Sequence, residues 1–245
     1  MQQEEDCMGF VDDFKEDQTL QIQVVCVAFF LIVFPTYFFM KAAATDDPSG
    51  MGGVGTYTVT AEFSYIDFDN GGEYIADGDT LTIPLNTDSL NSDDMDKNIV
   101  GVLVTMTYEE DEQAQGLTCA GPLGGQAAAD TITGVALHMN YSNTSDGQNQ
   151  GGSGSHEVST TWFNSSVIGE KIEGLSESQI IDDLEKQGTG LGDYIVEISV
   201  SAQAGNAPGP DCSRSDNGED VSYTIQLVVL DYSIAPYIDL DDLDV

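Results

Sequence analysis

Hydrophobic and polar positions follow two different rules along this chain. Leu20–Met40, LQIQVVCVAFFLIVFPTYFFM, is almost wholly apolar and carries no charged residue. As a helix at 1.5 Å per residue the run reaches about 31 Å, the thickness of a hydrocarbon core, which predicts a membrane-spanning helix over 20–40. From residue 56 onward the pattern is alternation with period two. Tyr57, Val59, Ala61, Phe63 and Tyr65 share one face of a first strand, with Thr58, Thr60, Glu62 and Ser64 on the other. Leu81, Ile83 and Leu85 continue in a second strand, where Pro84 marks a sheet edge or strand end. Val100, Val102, Val104, Met106 and Tyr108 make a third, Val135, Leu137, Met139 and Tyr141 a fourth, and Val158, Thr160 and Trp162 a short fifth. Tyr194, Val196, Ile198 and Val200 form a sixth; Val221, Tyr223, Ile225, Leu227 and Val229 form a seventh.

One stretch breaks the alternation. Ser176 is a good N-cap, Gln179 completes a capping box, and Leu175 and Ile180 stand at hydrophobic-staple positions. Ile180, Ile181 and Leu184 form a narrow apolar stripe, and Gly188 supplies the stop. This predicts a helix over about 177–187 packed on one end of the sheets. The expected fold is all-β: a seven-stranded antiparallel sandwich with one short helix, preceded by one transmembrane helix.

The same pattern divides the chain into an acidic N-terminal tail (1–19), the transmembrane helix (20–40), a flexible Gly-rich linker (41–55), an extracellular sandwich (56–234) and an acidic C-terminal tail (235–245). The competing reading of the apolar run is a secretory signal, with Ala42-Ala43-Ala44 as its cleavage site; the protein would then be secreted after cleavage at Ala44. A signal peptide has a short basic leader and a shorter apolar core, and the acidic tail and long run favour the anchor. Asn140, Asn143 and Asn164 each head an Asn-x-Ser/Thr glycosylation triplet beyond the run. Cys119 and Cys212 lie there too, in Gly/Pro-containing loops, and fit one disulfide in an oxidising compartment. Both features place the C-terminal portion outside a single-pass membrane protein. Cys7 and Cys26 fall in the tail and the apolar run.

Charge narrows the partners. The chain has 43 Asp and Glu against 6 Lys and Arg, a formal net charge of −37. Such a surface repels nucleic acid and anionic headgroups, so nucleic-acid binding is excluded. The plain meaning of the acidity is solubility in salty water; the sharper one is Ca²⁺ binding. Asp67, Asp69, Glu73, Asp77 and Asp79 place hard oxygen donors around Asn70-Gly71-Gly72 and are the first candidate Ca²⁺ ligands. Gly78 stands where an EF-hand needs its closing Glu, and the alternative reading is an Asn-Gly hairpin turn on an acidic surface. Asp211, Asp216, Asn217, Glu219 and Asp220 make a second, weaker group. His138, read as outward-facing, and His156 lack the nitrogen and sulfur neighbours of a zinc or copper site. Asn143–Ser155 is a polar stretch that reads as a flexible loop. There is no GxSxG, HExxH or P-loop, so the expectation is a non-enzymatic protein with no cofactor beyond Ca²⁺.

Gly190-Leu-Gly-Asp-Tyr194-Ile-Val-Glu-Ile-Ser-Val200 resembles the penultimate strand of immunoglobulin-like surface modules, including polycystic-kidney-disease-type domains, where a Gly-x-Tyr-x-Val-x-Val run follows a corner. The resemblance implies an immunoglobulin-like sandwich with Tyr194 as its corner tyrosine, and no activity. The Lys-poor, Asp-rich composition resembles that of archaeal cell-surface and halophilic proteins. Anchor, spacer and sandwich together lead us to expect surface adhesion, binding or envelope structure, with a protein or surface polymer as partner. The alternatives are a Ca²⁺-dependent binding module and an accessory subunit of a membrane or filament complex.

Overall fold

The computed structural model describes residues 29–33, 36–37, 54–119, 124–149, 152–186 and 188–238. The chain divides into two units at Gly53/Val54. Of the apolar run, Phe29–Val33 forms a single π-helical turn; most of the predicted span, the N-terminal tail and residues 239–245 lie outside the described residues, while Ala235 and Pro236, placed in the C-terminal tail by the sequence, close the final strand opposite Thr58 and Tyr57. Among the described residues no helix is long and apolar enough to cross a membrane.

The second unit contains eleven strands and two α-helices among its described residues. The strands are β1 (Gly55–Ala76), β2 (Thr80–Asn86), β3 (Ile99–Glu109), β4 (Gln113–Gln115), β5 (Thr131–His138), β6 (Tyr141–Gln148), β7 (Gly154–Thr161), β8 (Gly169–Leu175), β9 (Asp193–Ser201), β10 (Ser213–Ser215) and β11 (Gly218–Pro236). The helices are α1 (Ser92–Met95) and α2 (Glu177–Glu185). A five-stranded sheet runs β7-β3-β11-β1-β8, a four-stranded sheet β2-β9-β5-β6, and β4 and β10 form a separate ribbon. Every strand pairing among the described residues is antiparallel. The two large sheets enclose one core, in which Val102, Val104, Met106, Ile225 and Leu227 of the first face Ile132, Ala136, Val196 and Ile198 of the second. The fold is an all-β sandwich.

The strand count exceeds the predicted seven for identifiable reasons. The stretch read as a flexible loop holds β6, an edge strand with almost no apolar residue, ordered by its ladder to β5 from Thr131↔Gln148 to His138↔Tyr141. Strand β8, whose only large apolar residues are Ile172 and Leu175, pairs with the start of β1. Pro84 does lie on an edge strand, β2, where a missing N–H breaks no ladder.

Two further expectations are corrected. Asn70-Gly71-Gly72 is not a hairpin turn: β1 runs straight through it, paired with Thr224, Tyr223 and Ser222 of β11. A Cβ on Gly71 would stand 2.6 Å from the Tyr223 hydroxyl, so the glycine here makes room for that ring and does not form a turn. The phase of β5 is also reversed. Ile132, Gly134, Ala136 and His138 point inward, whereas Met139 (φ 51°) is an exposed residue of the β5–β6 turn. Gly134 faces Met106, whose side chain occupies the space a Cβ would need, and His138 stacks on Tyr194 with ring centroids 4.0 Å apart. His138 is thus a core residue, its ring nitrogens against the carbonyls of Asp193 and Thr189.

Helix α2 has the predicted capping box at Ser176 and Gln179, but it does not sit on an end of the sheets. Ile180 and Leu184 join Val59, Val100, Val228 and Leu230 in a second core on the outer face of the five-stranded sheet. Alternate residues serve the two cores: Leu227 and Val229 of β11 and Ile66 of β1 face the inner one, Val228 and Leu230 of β11 and Val59 of β1 the outer one. The helix ends one residue before Lys186, which takes the left-handed conformation (φ 41°) ahead of Gly188.

Candidate functional site

One end of the sandwich is built from the termini of β3, β6, β9 and β1 and the beginnings of β5, β7 and β11. The β4–β10 ribbon folds over it, and the predicted disulfide is present: Cys119 and Cys212 are bonded, with Cα atoms 5.0 Å apart. Beneath the bridge lies an ion pair. Arg214 Nη1 donates to Glu112 Oε1 at 2.8 Å, with the two side chains only 12 % and 1 % exposed. Glu112 Oε2 accepts from the backbone of Ala128 at 3.1 Å and Gly205 at 3.0 Å, and Arg214 Nε donates to the Gly124 carbonyl. One carboxylate therefore ties three loops to the ribbon.

Behind this clasp lies a cluster of four acids: Glu110, Asp130, Asp216 and Glu219, with one carboxylate oxygen of each within 4.8 Å of the others. Topology brings them together. Glu110 follows β3, Asp130 precedes β5, Asp216 lies between β10 and β11, and Glu219 is the second residue of β11. Asp130 and Glu219 are wholly buried, each 0 % exposed. Asn149, just beyond β6, positions both: its Nδ2 donates to Asp130 Oδ2 at 3.1 Å and to Glu219 Oε1 at 3.0 Å, while its Oδ1 accepts from Asp130 N. Asp130 Oδ1 accepts from Gln203 N at 2.6 Å. Glu110 Oε1 accepts from Glu112 N, and Asp216 Oδ1 from Gly218 N.

Three oxygens are left over. Glu110 Oε2, Asp216 Oδ2 and Glu219 Oε2 are buried and no donor among the described residues reaches them. Burial pushes the Glu219 carboxyl up to about 9, reinforced by its contact with Asp130 and by the charges of Asp130, Asp111 and Glu110. Burial likewise raises Asp216 to about 6, with Asp130 and Asp111 adding to it and the Gly218 N–H opposing. Glu110 is raised for the same first reason. Crowded carboxylates with no cation among them have two chemical remedies: they hold protons, or they hold a hard cation. Glu110 also lines a cleft of 610 Å³, with Asp111, Asp220 and Ser222, through which solvent reaches this end.

The five acids singled out first are not brought together. Asp67, Asp69 and Glu73 are strung along β1, where six residues span about 20 Å. Asp67 accepts from Gln226, and Asp77 accepts from Ala202 N in the turn before β2. From the weaker second group, Asp216 and Glu219 do enter the cluster; Glu110 and Asp130 were not singled out in the sequence. Of the glycosylation triplets, Asn140 is exposed at the β5–β6 turn. Asn143 and Asn164 commit their amide nitrogens to Ser159 O and Asp183 Oδ2. The Tyr194 hydroxyl donates to Gly190 O at 2.7 Å, closing the corner that precedes β9.

No family model matches the chain, and a search of curated proteins finds no match. Among solved structures it is similar to one described as the structure of infectious bursal disease virus Gx strain, at 10 % identity and a TM-score of 0.24. That alignment covers 75 % of this chain and 43 % of the viral one. At that score the likeness carries no functional argument.

Proposed function

We propose that the chain is a single-pass, membrane-anchored surface protein whose extracellular, immunoglobulin-like sandwich acts without catalysis in adhesion, binding or envelope structure. The observation that supports this reading best is the stapled loop end. A disulfide, a ribbon and a buried ion pair hold loops from several strands in fixed relation on a rigid scaffold, the arrangement by which a sandwich presents a recognition surface. A disulfide persists in an oxidising compartment, which fits an external location. The Tyr194–Gly190 hydrogen bond is the contact expected of an immunoglobulin-type corner. The Leu20–Met40 run supplies the anchor, with cleavage at Ala44 giving a secreted form instead.

The test is accessibility on intact cells. A C-terminal epitope tag on the full chain is read by antibody before and after permeabilisation, and membranes are washed with alkaline carbonate. Staining of intact cells, with the protein retained in the washed membranes, is the expected result. Staining only after permeabilisation would overturn the orientation, and release by carbonate would overturn the anchor.

A further inference from the structure

We infer that Glu110, Asp130, Asp216 and Glu219 form a Ca²⁺ site that locks the loop end of the sandwich. The inference stands independently of whether the protein is anchored or external. It starts from the convergence of four carboxylates, each with an oxygen within 4.8 Å of the others, but convergence alone would say little in a chain so acidic. The second observation is the state of Glu219. Its side chain is 0 % exposed, one oxygen is held by Asn149, and the other is buried with no donor among the described residues to meet it. A buried acceptor without a partner is costly. Glu110 and Asp216, the neighbours of Glu219 in the cluster, each carry one more such oxygen.

Among the described residues no cationic side chain pairs with the four acids. The one guanidinium at this end, Arg214, is spent on Glu112. The donors that do reach the four acids hold both oxygens of Asp130, from Asn149 and Gln203 N, and one oxygen each of Glu110, Asp216 and Glu219, from Glu112 N, Gly218 N and Asn149. Orientation of the ligands by such outer contacts is what a metal site requires. Size selects among hard cations. Ligands on opposite sides of Ca²⁺, at about 2.3–2.6 Å each, are separated by about 4.6–5.2 Å, whereas an octahedral Mg²⁺ holds them about 4.1 Å apart. The four oxygens, all within 4.8 Å of one another, lie inside the span that the ligands of Ca²⁺ occupy. The 610 Å³ cleft beside Glu110 gives the ion entry and leaves room for water to complete its coordination. Because the ligands come from the ends of β3, β5 and β11 and the β10–β11 connection, a bound ion joins both large sheets at the stapled face.

The experiment follows melting of the full-length protein stripped with chelator, then supplied with millimolar CaCl₂, MgCl₂ or NaCl at equal ionic strength. Ca²⁺ at about a hundred times its Kd should raise Tm by about 5–10 °C, well beyond Mg²⁺ or Na⁺. Calorimetric titration should give one ion per chain. Glu219→Gln should abolish the response, and Glu110→Gln, on the cleft side, should weaken Ca²⁺ affinity at least about tenfold. The double variant Asp67→Asn/Asp69→Asn, on the β1 surface, should respond as the parent does. If Glu219→Gln fails to fold, Glu110→Gln decides alone. Equal effects of Ca²⁺ and Mg²⁺, or a Ca²⁺ response retained in Glu110→Gln and Glu219→Gln, would reduce the effect to surface screening and overturn the site. Loss of the response in Asp67→Asn/Asp69→Asn would place it elsewhere.

Discussion

Arg214→Met is the substitution that probes the loop end most sharply. Methionine preserves much of the buried stem but removes the charge, leaving the Glu112 carboxylate, 1 % exposed, with only the N–H groups of Ala128 and Gly205. Exposed ion pairs contribute about 0–1 kcal/mol. A pair this enclosed behaves differently, since removing one partner strands a charge in the interior at a cost of about 3–5 kcal/mol. Arg214 retains a 12 % edge to solvent and Glu112 keeps its two backbone donors, so the lower end, about 3 kcal/mol, applies. For a domain of this size that corresponds to a fall in Tm of about 6–12 °C. The assay is equilibrium urea unfolding of Arg214→Met, Glu112→Gln and the double variant, closed as a thermodynamic cycle. Glu112→Gln alone strands the guanidinium, while the double variant strands neither charge, so coupling should be at least about 1.5 kcal/mol. A loss below about 1 kcal/mol with coupling near zero would match a surface pair and refute the clasp.

Three other outcomes follow from the structure. Leu184→Ala, which empties a wholly buried position between α2 and the outer face of the five-stranded sheet, should cost about 2–5 kcal/mol in the same urea assay; a cost below about 1 kcal/mol would mean the helix does not dock there. Replacing both Cys119 and Cys212 with Ser frees a loop whose ends are 93 residues apart and should destabilise by about 4–5 kcal/mol on the chain-entropy estimate, with Ca²⁺ affinity reduced as well; an unchanged Tm would show that the bridge adds nothing to the folded end. His156 packs against Tyr108, and burial holds its imidazole below the ordinary 6.5. As pH falls, the unfolded chain therefore takes the proton first, so this contribution is complete above about pH 6.5 and is lost as pH drops below it. His156→Gln should flatten that part of the Tm profile between about pH 7 and 5, and identical profiles for parent and variant would contradict the shift.

What the sequence disclosed followed from where one face of a strand is apolar and the other polar. Strands β9 and β11 were legible for that reason: Tyr194, Val196, Ile198 and Val200 are buried, as are Val221, Ile225, Leu227 and Val229. The α2 capping box was legible because its contacts lie within four residues of one another. Strand β5 misled because both faces carry apolar side chains, and what decided between them was remote: Met106 filling the space over Gly134, and Tyr194 stacking on His138. Asn70-Gly71-Gly72 carries a strong local turn signal, overridden by a long ladder to β11. The outer core was hidden for a similar reason, since the odd positions of early β1 face α2 rather than the second sheet. The carboxylate cluster could be half seen, in Asp216 and Glu219. Glu110 and Asp130 are distant along the chain, and only strand order brings them to the same end.

The most direct measurement of the calcium centre is a crystal structure of the full chain grown with CaCl₂, with anomalous scattering used to identify the ion. Density for Ca²⁺ is expected between Glu110, Asp130, Asp216 and Glu219, with six to eight oxygen ligands at about 2.3–2.6 Å including Glu219 Oε2. Carboxyl groups hydrogen-bonded directly to one another at that place, with no ion at saturating calcium, would mean the cluster carries protons instead.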